Sequence, residues 1–67
     1  MKTEDGREWF HGEDPNNFAD AARDAVENAE AEYRKRGLDF PQLYDVQLQV
    51  LAHGPLSGYR VLVSPGG

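Results

Sequence analysis

The sequence predicts one α+β domain of order β-α-β-β, a single helix packed on a three-stranded antiparallel sheet. Three observations point there. Apolar residues recur at a helical period between Phe18 and Tyr33, the period changes to two beyond Gly37, and a run with two glycines and a proline divides the alternating stretch. The 67 residues suit one small domain, 1–67, with fraying expected at 1–6 and 65–67.

Taken in order, Arg7-Glu8-Trp9-Phe10-His11 carries two adjacent aromatics and is read as the first strand, with Gly12 and Glu13 turning into the helix. The helix is read over 15–36. Phe18, Ala21, Ala22, Ala25, Val26, Ala29 and Tyr33 line one face at the 3.6-residue spacing, Asp14 is positioned as its cap, and Pro15 suits a first helical turn. Arg34, Lys35 and Arg36 favour the negative end of the helix dipole, and Gly37 can close the last turn in a left-handed conformation. Glu30 with Arg34 and Glu32 with Arg36 stand four apart on the solvated side.

Tyr44, Val46, Leu48, Val50 and Ala52 then alternate with Asp45, Gln47, Gln49 and Leu51, and a last strand follows from Tyr59 to Ser64. His53-Gly54-Pro55-Leu56-Ser57-Gly58 joins them as a hairpin loop. Pairing Ala52 with Tyr59 sets Val50 opposite Val61 and Leu48 opposite Val63, one apolar face for the helix to cover. The other face then carries Leu51 beside Arg60, Gln49 beside Leu62 and Gln47 beside Ser64.

Composition excludes several classes. No cysteine is present, so disulfides, thiol nucleophiles and thiolate metal sites are absent. A net charge of −5 opposes binding to nucleic acid, which needs clustered cations. No apolar run is long enough to span a bilayer and Met1-Lys2-Thr3-Glu4-Asp5 does not read as a secretory signal, so cytoplasmic residence is expected. Catalytic groups are sparse: Ser57 four residues after His53 lacks an orienting carboxylate, no phosphate-cradling glycine loop occurs, and His11, Glu13, Asp14 and His53 match no recurrent metal spacing. A non-enzymatic role is expected.

The charge is lopsided. Residues 38–67 hold thirteen large apolar or aromatic side chains and only Asp39, Asp45 and Arg60 as charged ones, more apolar surface than one helix covers. An interface with a second copy or another protein is therefore expected on the far sheet face, at Leu43, Gln47, Gln49, Leu51 and Leu62. An acidic monomeric adaptor that binds a protein partner is the alternative.

From about Arg7 to Ser64 the chain resembles the dodecins, small flavin-binding proteins that assemble into hollow dodecamers. The residues that carry the resemblance are Gly12 with Pro15, the stripe Ala21, Ala22, Ala25 and Ala29, and Gly58-Tyr59-Arg60-Val61. It implies a homo-oligomer and a flavin as cofactor, with Phe40 where that family has a stacking tryptophan and Arg60 near the position that meets the flavin edge. The terminal Ser64-Pro65-Gly66-Gly67 is similar to the tail of ubiquitin-like sulfur carriers, whose terminal carboxylate is adenylated by a partner enzyme. A frayed end is the simpler reading of those glycines.

Overall fold

The computed structural model describes residues 7–52 and 57–66. Its elements are β1 (Phe10–Asp14), α1 (Phe18–Arg36), β2 (Tyr44–Leu51) and β3 (Gly58–Pro65). The three strands form one antiparallel sheet in the order β1-β3-β2, so the last strand is central and α1 carries the chain from one edge to the other. This is the α+β arrangement expected from the sequence. His53, Gly54, Pro55 and Leu56 of the connecting loop, the segment 1–6 and Gly67 lie outside the described residues.

Helix α1 begins three residues later than expected. Asp14 is the last residue of β1, paired with Tyr59, and stands three residues before the cap position of α1. Its carboxylate instead accepts from the backbone N–H groups of Asn16 (2.8 Å) and Asn17 (3.0 Å), turning the chain, and Asn17 caps α1 by accepting from Asp20 N–H at 2.7 Å. The 19 helical residues span about 28 Å at 1.5 Å each. Gly37 ends the helix at φ 71°, with its N–H on the Arg34 carbonyl (3.1 Å) and Leu38 N–H on the Tyr33 carbonyl (3.0 Å), the paired bonds of a left-handed cap. Arg36 forks onto Glu8 at 2.9 and 2.7 Å and also reaches Glu32 at 3.6 Å.

The first strand lies three residues beyond the expected one, and Gly12 sits inside it rather than in a turn. A Cβ there would fall within 3.0 Å of Ala25 N, Ala21 O and Asp24 Cβ, so α1 crosses β1 at a distance only glycine permits. Ala21, Ala25 and Ala29, one per turn and fully buried, supply the flat helix side of that approach. With Val61 and Val63 they make the core, flanked by Phe10, Phe18, Ala22, Val26, Tyr44 and Tyr59. Phe18 meets Tyr59 with ring centroids 4.7 Å apart, and Phe10 meets Tyr33 edge-on at 6.3 Å.

The hairpin register differs from expectation by two residues: Val50 faces Tyr59, Leu48 faces Val61 and Val46 faces Val63. A slide of two keeps every side chain on its expected face, because strand periodicity is two. β3 runs on through Pro65, and Gly66 N–H donates to the Leu43 carbonyl at 2.9 Å, within the segment expected to fray from 65. No helix among the described residues is long and apolar enough to cross a membrane.

Candidate functional site: the uncovered strand

Strand β2 carries the apolar surface that the core leaves unused. Val46, Leu48 and Val50 share a face with Val63, Val61 and Tyr59 of β3, and with Phe10, Gly12 and Asp14 of β1. Helix α1 lies over β1 and β3 and stops short of β2. Val61 and Val63 are therefore buried, while Val46, Leu48 and Val50 stay 52%, 60% and 63% exposed. The expectation that one helix covers the whole apolar face is not met, because strand order places β2 beyond its reach. Leu38, Phe40 and Leu43, on the segment leading into β2, are exposed as well.

The far face, where the interface residues were expected, is more occupied than its composition suggests. Arg7 ion-pairs with Asp45 at 2.6 Å, donates to the Pro65 carbonyl at 3.1 Å and lies 5.2 Å from the centre of the Trp9 ring. Ser64, opposite Asp45 on that face, is buried. Towards the other end, Arg60 donates through Nε and Nη2 to one oxygen of Glu13, each at 2.8 Å. Leu62 and Leu51 are half-buried, Gln47 and Gln49 exposed, and Leu43 stands before the strand rather than on the sheet. The five expected residues thus divide among a polar strip, a shielded pair and a loop.

Phe40 and Arg60 do not form one site within a single chain. Arg60 pairs with Gln49, whereas Phe40 precedes Tyr44 at the opposite end of β2, some 17 Å away along five residues of strand. Phe40 carries the Arg34 guanidinium 5.6 Å from its ring centre. Two concavities occur near the β1–α1 turn. One, of about 240 Å³, is open and lined by Glu13, Asp14, Pro15, Leu51, Ser57, Gly58 and Tyr59. The other, of about 470 Å³, is a shallow acidic cleft between Glu13, Asp14, Asp20, Asp24 and Glu27, with Arg23 at its side. Most of its carboxylates already bind backbone or cationic groups of the chain. Among the described residues no three His, Asp or Glu gather as a metal set, and His53 lies outside them.

The sequence reading missed two residues that define which strand edge is open. Asp24 accepts from Glu13 N–H (3.3 Å) and Asn28 donates to the His11 carbonyl (2.9 Å), so helix side chains occupy the outer edge of β1. Their i, i+4 spacing on α1, both polar, is the signal that could have found them. Comparison with protein-family models, curated proteins and solved structures gives no match to this chain.

Proposed function

We propose that the chain is a non-enzymatic, self-associating cytoplasmic module that can hold a planar ligand such as a flavin between copies. One observation carries the association: Val46, Leu48 and Val50, on the core-facing side of the sheet, remain more than half exposed in a domain with few large buried side chains. Covering them adds apolar burial that a chain of this size lacks by itself. The ligand part rests on the dodecin resemblance and on Phe40, an exposed aromatic; since Phe40 and Arg60 lie at opposite ends of the hairpin, a shared ligand needs them from different copies. Arg60 is held by Glu13, so the ring contact rather than the cation carries that part.

Light scattering behind a sizing column tests the association. A mass at least twice 7.5 kDa is expected, and a mass of one chain would overturn the reading in favour of an acidic monomeric adaptor. Titrating the assembled protein with riboflavin tests the ligand. Quenching of flavin fluorescence, weakened by Phe40→Ala, is expected; no quenching would remove the ligand and leave the association.

A further inference from the structure

The sheet has two outer edges, and they differ. β1 is five residues long, carries Gly12, Glu13 and Asp14, and has its outward Glu13 N–H and His11 C=O taken by Asp24 and Asn28 of the helix. β2 is eight residues long, exposed along nearly its whole length, and contains no proline, glycine or lysine; Asp45 is its one charge. An edge of that kind, long, β-branched and unblunted, is a template for another strand. We propose that β2 pairs antiparallel, edge to edge, with β2 of a second copy, joining two sheets into one of six strands. This rests on the self-association reading and specifies its geometry.

A second copy fits better than a foreign strand because β2 is complementary to itself. Antiparallel partners place their apolar residues on a common face only in registers that leave one residue opposite its own copy. Two such registers engage nearly the whole strand. Centred on Leu48, they set Val46 against Val50; centred on Gln47, they set Val46 against Leu48. In both, Asp45 faces an uncharged residue and never its own copy, so no like charges meet. Val46, Leu48 and Val50 together present on the order of 300 Å², already the size of the largest apolar patch on a typical monomer. In the joined sheet the two helices flank a shared floor of Val46, Leu48 and Val50 from both copies.

The absence of native cysteine makes the test clean. Gln47→Cys and Leu48→Cys are each oxidised under mild conditions at concentrations where the wild type is assembled, with His11→Cys on the β1 edge as control. The self-facing residue brings its Cα atoms to about 4.5–5.5 Å, within disulfide range. One of the two variants is expected to give covalent dimer at least tenfold above the control. Amide exchange is the second measurement: alternate amides of 44–51 should slow at least tenfold on assembly. An assembled wild type showing neither the cross-link nor slowed exchange would overturn edge pairing while leaving self-association standing. A wild type that stays a single chain at millimolar concentration would overturn both.

Discussion

Leu48 and Val61 stand directly opposite each other on one face of the sheet, yet Val61 is completely buried and Leu48 is 60% exposed. The difference arises from strand order alone. β3 is central and lies under α1, whereas β2 is the edge beyond it. Truncation should therefore separate the two. Val61→Ala removes two methyl groups from a packed site and is expected to cost about 2 kcal/mol in denaturant unfolding. Leu48→Ala at dilution should cost under about 0.5 kcal/mol, as surface changes do. At concentrations that favour assembly the Leu48→Ala penalty should grow and that of Val61→Ala should not. Equal costs at every concentration would contradict this division.

Gly12 leads to a second expectation, since α1 rests on its Cα. Gly12→Ala forces the helix away from β1 and should destabilise the domain by 2 kcal/mol or more, on the order of an overpacked core site. Gly37→Ala meets open space and pays only for its left-handed backbone, about 1 kcal/mol. Ala25→Asp, which buries an unpaired charge against the same strand, should abolish the folded state. Circular dichroism melts check all three, and a native melt for Ala25→Asp would refute the assignment of the helix face.

These cases show what the sequence makes legible. The alanine stripe and the alternation of the hairpin locate α1, β2 and β3 and the facing of the hairpin residues, because both are local periodicities, whereas β1 carries no such pattern and lies three residues beyond its expected place. The register slid by two since the apolar alternation is blind to an even shift. Gly12 reads as a turn residue because a glycine required by close packing leaves no periodic trace. The open face of β2 was hidden for a different reason. Val46, Leu48 and Val50 have the same pattern as Val61 and Val63, and only the path of the chain across the sheet decides which set the helix covers. The far-face interface was expected from the apolar weight of residues 38–67, and the occupation of part of that face by Arg7 comes from its contacts with Asp45 and Pro65, far from it in sequence.

Asn17 rather than Asp14 caps α1, and the two acceptors have separable effects. Asn17→Ala loses the bond to Asp20 N–H and should cost about 1 kcal/mol, with Asn17→Asp retaining most of the stability. Asp14→Ala frees the N–H groups of Asn16 and Asn17 in the exposed turn, where water can replace the carboxylate, so its cost should be the smaller. Urea midpoints of the three variants decide it. A larger loss for Asp14→Ala would return the cap to the position that the sequence suggests.

Tyr44 provides a pH signature. Its hydroxyl is buried without a hydrogen-bond partner among the described residues, and its pKa is raised above the ordinary 10 by burial first and by the charges of Glu30 and Tyr33 after it. Because the folded state holds the proton more tightly than the unfolded chain, the stability linked to Tyr44 is fully present below pH 10 and is lost as pH rises through the folded pKa. The informative quantity is the difference between wild type and Tyr44→Phe, which isolates this one hydroxyl. At neutral pH the phenylalanine variant should equal the wild type or exceed it by up to about 1 kcal/mol, since it removes an unsatisfied donor. Above pH 10 its advantage should widen in urea unfolding. A difference that stays constant through this range would place the Tyr44 hydroxyl in water.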